Sequence, residues 1–256
     1  MSLTLGWGLA QAFEFTPRQA HPLPHTARSG LDTAGADVKA MQADEWANPA
    51  QAWLQKGAQL WARSSATAPS CGQCHGALEV AMKGVAPRSP AWSARLGRVG
   101  NLEDQIRHCQ SVHQKRVPDE FESEDLLALS ASITRASKGL PMSQRFVPEE
   151  REALTRGESE FHRRQGLLNL ACAHCHQDLA GKRLLMDPLS QGQPNAYPLY
   201  RLEWQSLGSL ERRLRSCLNG VKSELDPWGS ARMRDLALYL RWRAQGLAIE
   251  MPAVRK

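Results

Sequence analysis

Cys71-Gly-Gln-Cys74-His75 and Cys172-Ala-His-Cys175-His176 repeat one chemical arrangement about a hundred residues apart. Two thiols one helical turn apart, followed at once by an imidazole, suit one task. The thiols add to the two vinyl groups of a haem, and the adjacent His ligates its iron; C-x-x-C-H is the c-type haem attachment signal. A thioredoxin-type redox pair would follow a strand in a βαβ unit, and no such pattern surrounds either motif. A structural zinc site would need four closely spaced ligands each time. The motifs therefore predict two covalently bound haem c groups. Cys71, Cys74, Cys172 and Cys175 are the attachment thiols, and His75 and His176 the proximal iron ligands.

Two of the six cysteines remain, and each closes a similar phrase: NLEDQIRHC (101–109) and SLERRLRSC (209–217). Asn101 and Ser209 are good helix N-caps. Leu102, Ile106 and Cys109 fall at i, i+4 and i+7. Leu207, Leu210, Leu214 and Cys217 fall at i, i+3, i+7 and i+10, so both cysteines lie on the inward stripe of a helix. A haem with one His ligand needs a distal partner. Met82, Met142, Met186, Met233, His108 and His113 are candidates by type. Cys109 and Cys217 could also serve as small buried apolar groups or join in a disulfide. One inward cysteine per haem, in the same phrase, favours Cys109 and Cys217 as distal ligands; a thiolate stabilises ferric iron and lowers the reduction potential.

The copies differ where charge matters. Arg213 stands one turn before Cys217, on the same face; its counterpart before Cys109 is Gln105. Arg243 in the last helix corresponds to Ala136. Two guanidinium groups beside one thiol suit a small oxyanion and would keep the cysteine ionised. Pairing of Arg213 and Arg243 with haem propionates or surface Glu is the competing assignment.

These residues need helices to hold them. Amphipathic stretches at 50–63 and about 148–166 precede the two haem motifs, each with a small residue four before an aromatic (Gly57 and Trp61, Gly157 and Phe161), a pairing that suits a close helix crossing. Closing helices run from Ser123 to Gly139 and from Ser230 to Gly246, with Ser N-caps and glycine stops. No period-two strand run stands out. The expectation is an all-α chain of two tandem cytochrome c-like domains, 50–146 and 147–256. An extended arm, 13–49, wraps the first domain. Residues 1–12, MSLTLGWGLAQA, read as the end of a secretory signal peptide whose start lies upstream, which implies a periplasmic protein. The 256 residues carry a net charge of 32 − 26 = +6 without Lys/Arg runs interleaved with aromatics, which argues against nucleic acid. No apolar run is long enough to span a membrane.

With these residues identified, the chain resembles the SoxA family, the diheme subunits of the SoxAX cytochromes of bacterial sulfur oxidation. The resemblance is carried by RSGLDTAGADVKAMQADEWANPAQAWLQKGAQLW (28–61), both haem motifs, NLEDQIRHC, WQSLGSLERRLRSCLNGV (204–221) and ALYLRWRAQGLAIEMPAVR (237–255). It implies a periplasmic L-cysteine S-thiosulfotransferase working with a monohaem SoxX partner. The enzyme joins thiosulfate oxidatively to a cysteine of the carrier SoxYZ, and the electrons leave through haem. It implies Cys109 as distal ligand of the first haem. It also implies Cys217 as ligand of the active-site haem, a position typically a persulfide, with Arg213 and Arg243 as catalytic arginines. A diheme electron shuttle would show ordinary Met ligation and no dependence on Arg213. A thiosulfate dehydrogenase would form tetrathionate without a carrier. A diheme peroxidase would need an open distal site. Neither of the last two families explains the long matching stretches.

Overall fold

Gly57 and Gly157 set how closely the principal helices approach. The computed structural model describes residues 13–18, 27–66, 68–185 and 187–256. Its helices are α1 (Ala36–Ala43), α2 (Gln51–Ala62), α3 (Cys71–His75), α4 (Leu78–Ala81), α5 (Leu102–Val112), α6 (Glu124–Arg135), α7 (Arg151–His162), α8 (Leu210–Gly220) and α9 (Ala231–Arg243). A Cβ on Gly57 in α2 would lie 2.1 Å from the Ala128 carbonyl oxygen of α6. One on Gly157 in α7 would lie 2.1 Å from the Asp235 carbonyl oxygen of α9. Neither crossing leaves space for a methyl group. Four residues on, Trp61 and Phe161 are buried in the two corresponding cores.

Short strands correct the all-α expectation. They are β1 (Ala91–Ser93), β2 (Arg98–Gly100), β3 (Arg183–Leu184), β4 (Asp187–Pro188), β5 (Leu199–Arg201), β6 (Ser206–Gly208) and β7 (Val254–Arg255). β1 pairs antiparallel with β2, β3 with β4, and β5 with β6; β7 adds to β5 in parallel. Two or three residues are too few to show a period of two. The β1–β2 hairpin leads straight into α5 and the β5–β6 hairpin into α8, so each hairpin aims a cysteine-bearing helix. Leu207, read above as part of that helix, belongs to β6.

The repeated phrase now has a physical content. Asn101 accepts from the Asp104 amide at 2.9 Å, and Ser209 from the Arg212 amide at 3.1 Å. Glu103 accepts from Ser130 of α6 at 2.7 Å. Its counterpart Glu211 accepts from the Gly229 amide at 2.9 Å and pairs with Arg234 of α9. The guanidinium of Arg107 stacks 4.2 Å from the Phe121 ring and donates to the Asp119 carbonyl; Arg215 does the same with Trp228 and Asp226. Cap, glutamate and arginine thus fasten each cysteine helix to the loop and helix that follow.

A seam core of Ala86, Leu127, Ala131, Met142, Leu207, Ala244, Ile249 and Met251 joins the two copies. Arg234 bridges them further: it bonds Asp104 of α5, at 3.1 Å through Nη2, and Glu211 of α8. All three side chains are almost wholly buried.

The arm takes a different course from the one expected. Phe13 and Phe15 pack on the second copy, with the Phe15 ring 5.3 Å from Trp242 and 6.4 Å from Tyr239. Ser29 bonds Glu250, and Gln42 of α1 accepts from the Val254 amide at 3.0 Å. Aromatic surface on α9 and free backbone at the chain's end draw it there. Residues 1–12, with the signal-peptide reading, lie outside the described residues.

Gly157→Ala forces the α7–α9 crossing apart and is expected to cost about 1–3 kcal/mol. In thermal melts that is a fall of roughly 2–4 °C per kcal/mol. Arg234→Leu leaves Glu211 buried without its cation and Asp104 with only the half-exposed Arg98, and is expected to cost about 3–5 kcal/mol in denaturant titrations. Burial raises the Asp104 pKa, but Arg234 and Arg98 bring it below the usual carboxylate value. Its contribution is therefore complete above the unfolded pKa of about 3.9 and is lost as pH falls through the lower folded value. Arg234→Leu should flatten this acid limb.

Candidate functional site: a histidine, a thiol and an arginine at the second motif

His176 lies in a π-turn, His174–Asp178, that carries the second haem motif. Its Nδ1 is 2.8 Å from the Ser190 carbonyl oxygen. A carbonyl can only accept, so Nδ1 holds the proton and the Nε2 lone pair is free to ligate. Gly192 lets the chain pass close by: a Cβ there would lie 3.1 Å from Nδ1, and its φ of +70° favours glycine.

The His176 imidazole hydrogen-bonds the Cys217 sulfur as donor, which favours the thiolate. Burial alone would raise its pKa, but that bond and the neighbouring Arg213 charge, with Arg201 further out, hold it below the ordinary thiol value. Cys109 occupies the same helical position and behaves oppositely, because burial raises its pKa and only Arg95 opposes. Cys172 is pushed up to about 12 by burial, with Cys217 adding to the rise. Arg213 stays fully charged despite burial, with Cys217, Tyr197, Glu203 and Asp187 around it. Among the described residues no salt bridge ties down its guanidinium.

Arg243 sits elsewhere. It is 1% exposed, lies 4.1 Å over the Phe161 ring, and donates from Nη2 to the His176 carbonyl at 3.3 Å. Burial lowers its pKa to about 10, and Tyr239 and Cys172 are its ionisable neighbours. The two guanidinium groups expected at the second site take different places: Arg213 acts on the thiol, and Arg243 bonds the backbone that carries the imidazole. Helix geometry is the reason, since Arg243 is at the last turn of α9 and that turn faces α7.

At the first motif, Ser70 and Gln73 form a capping box that starts α3. The Trp61 indole donates to the Gly76 carbonyl at 3.0 Å and lies beside the His75 ring at 5.8 Å. A cavity of about 240 Å³ opens beside Cys71, Leu60, Leu129, Gln110 and Arg116. Cys71 is electrostatically coupled to both Cys74 and Cys109. All six thiols are free, so Cys109 and Cys217 form no disulfide. Of the other candidate ligands, Met142 and Met233 are buried, Met142 in the seam core and Met233 beside a cavity lined by residues of both copies. Met82 packs on the core that includes Cys71, His108 and His113 pack on each other at 6.3 Å, and Met186 lies outside the described residues.

These groups fit haem c. Each motif offers two free thiols and a histidine, with a third thiol close by; at the second motif the histidine hydrogen-bonds that thiol's sulfur. Arg201, Tyr197 and Ser190 were missed from sequence. Aligning the hairpins would have found the first two, since Arg201 and Tyr197 stand where the first copy has Ser93 and Ser89. Nothing in the sequence marks the Ser190 carbonyl.

A family model, SoxA/TsdA cytochrome c domain, matches residues 56–142. The L-cysteine S-thiosulfotransferase subunit SoxA of Pseudaminobacter salicylatoxidans is 34% identical over 244 residues, covering 93% of this chain and 85% of that protein. The subunit of the same name from Rhodovulum sulfidophilum is 29% identical, covering 89% of this chain and 80% of the relative. The crystal structure of SoxXA from P. pantotrophus superposes with a TM-score of 0.86 at 26% identity, covering 90% of this chain and 87% of that one. The chain belongs to the SoxA family.

Arg213→Met removes the cation beside Cys217. The pH at which the Cys217 thiolate is protonated should therefore rise in the haem-loaded protein. A pH titration of its absorption or EPR signal checks this, with the Cys109 centre unshifted as an internal reference.

Proposed function

We propose that this chain is the diheme subunit of a periplasmic cytochrome that couples thiosulfate oxidatively to a cysteine of a SoxYZ-type carrier protein. The observation that carries the reading is the asymmetry between the two thiols. Cys217 has a histidine partner, a neighbouring arginine and a lowered pKa, whereas the Cys109 pKa is raised by burial with only Arg95 opposing. The relatives' shared name, L-cysteine S-thiosulfotransferase subunit, supports the reaction. The SoxXA structure supports a SoxX-like monohaem cytochrome as partner. No helix among the described residues is long and apolar enough to cross a membrane.

The proposed organisation is two cytochrome c-like domains, 50–146 and 147–256. Cys71, Cys74, His75 and Cys109 would hold the first haem; Cys172, Cys175, His176 and Cys217 would hold the second. When bound, haem c supplies an acceptor for electrons next to the sulfur chemistry. The net reaction joins the outer sulfur of thiosulfate to the carrier's cysteine sulfur and releases one proton and two electrons. Arg213 binds the sulfonate oxygens and orients the outer sulfur toward Cys217 Sγ. Sulfur bonds to that thiolate with loss of two electrons, and the carrier thiolate then attacks the disulfide and regenerates Cys217. The Ser190 carbonyl holds the His176 ring so that the thiol keeps one fixed neighbour. Arg243 fastens the backbone of the turn.

Intact mass and peptide mapping of protein matured with haem-attachment machinery should give two haems and extra sulfur on the Cys217 peptide. One haem would overturn the diheme assignment. Arg213→Ala should lower carrier-dependent thiosulfate coupling by about a hundredfold, the scale of losing a charge-assisted contact to the reacting anion. An undiminished rate would remove Arg213 from the site, and turnover to tetrathionate without carrier would favour a thiosulfate dehydrogenase.

A further inference from the structure

We infer that Gln191 is a positioning residue for the second haem: it ties the N-terminal arm to the loop whose Ser190 carbonyl holds the His176 ring, and so helps to set that haem's reduction potential; this rests on the ligation by His176 proposed above. The first line of reasoning is what holds the carbonyl. Ser190 lies past β4, outside any regular element, so its place depends on bonds made by its neighbours. On one side Leu189 bonds the turn after the haem motif: its amide donates to the Lys182 carbonyl and its carbonyl accepts from the Gly181 amide, each at 2.8 Å. On the other side the bonds come from Gln191. Its backbone carbonyl accepts from Arg243 Nη2 at 3.5 Å, and the same Nη2 reaches the His176 carbonyl. Its side-chain oxygen accepts from the Arg28 amide at 2.7 Å and from Gln193 Nε2 at 3.2 Å. A backbone N–H can only donate, so the amide oxygen of Gln191 is the atom that faces the arm.

The second line is that the arm is fixed where Gln191 meets it. Ser29 is buried; it bonds Glu250, and its hydroxyl accepts from the Leu31 amide at 3.1 Å. Further along, Gln42 accepts from the Val254 amide and from Arg255 Nη1. Gly30 packs against Ser190 itself: a Cβ there would lie 3.9 Å from the Ser190 Cβ and 3.4 Å from Arg255 Nε. The arm is therefore an anchored wall, and Gln191 is the side chain that joins the loop to it. The two copies differ at this point. Among the described residues no carbonyl hydrogen-bonds the His75 ring, whose neighbour is the Trp61 indole. A fixed bond from Nδ1 to a carbonyl raises the basicity of a ligating imidazole and favours ferric iron. Without the Gln191 side chain the loop is released from the arm, and the Ser190 carbonyl no longer holds one position against the ring.

The test uses the haem-loaded protein with its cytochrome partner, and the variants Gln191→Ala, Gln191→Glu and Gln42→Ala. The potential of each haem is measured by optical redox titration, with EPR spectra and thermal melts alongside. Gln191→Ala should shift the second haem's equilibrium about tenfold toward ferrous iron, a rise of about 59 mV for a one-electron couple, with the first haem unmoved. It should also broaden the second haem's EPR signal, because the ring then takes more than one orientation. Gln191→Glu keeps an acceptor oxygen for the Arg28 amide and adds negative charge, so its potential should stay at or below the wild-type value. Gln42→Ala loosens the arm at β7 and should lower the melting temperature without moving either potential. An unchanged second-haem potential in Gln191→Ala, with His ligation intact, would overturn the inference alone. So would an equal rise in Gln191→Ala and Gln42→Ala, which marks a general loosening of the arm. A wild-type second haem whose EPR spectrum shows no nitrogen ligand would overturn the ligation by His176, and the inference with it.

Discussion

One buried guanidinium governs the relation between the two cysteine helices. Arg234 projects from α9 and is neutralised at once by Asp104, which also closes the cap of α5, and by Glu211 in the first turn of α8. Both carboxylates sit where a helix dipole favours negative charge. Neither carboxylate could stay buried and charged at its present cost without the guanidinium, since Glu211 has no other cation and Asp104 only the half-exposed Arg98. The starts of α5 and α8 are thereby fixed to each other, and so are the cysteines at their far ends. The seam core supplies apolar area, but the charged triad supplies direction.

Within that frame the two copies divide their labour through small local differences. The helices, caps and clamping arginines are the same; what changes is the charge beside the thiol. A cysteine whose surroundings are mainly burial and other thiols has its pKa raised. The same cysteine facing an imidazole and a guanidinium has it lowered. A duplicated scaffold can therefore present one inert and one reactive sulfur without altering its backbone, because electrostatic energy depends on a few ångströms and packing does not register it.

Much of this was readable from the residues alone. The haem motifs, the N-caps at Asn101 and Ser209, the crossings at Gly57 and Gly157 and the opposed characters of Cys109 and Cys217 follow from local chemistry and spacing. The hairpins were not readable, because three-residue strands carry no period and their stability comes from the helices they join. That omission hid Arg201, whose place opposite Ser206 depends on strand register. Arg243 was misplaced relative to Arg213 because a residue's position along a helix does not say which neighbour its turn will face. The path of the arm was lost for the same reason: Phe13 and Phe15 are generic apolar residues until α9 offers Tyr239 and Trp242.

The arm has a further consequence, for the order in which the molecule is completed. Gln42 is joined to Val254 across 212 positions, and Phe15 rests on rings of α9. Residues far apart along the chain thus close on each other, and a loop of that length is slow to close, so the contacts of the arm with α9 and β7 form late in folding.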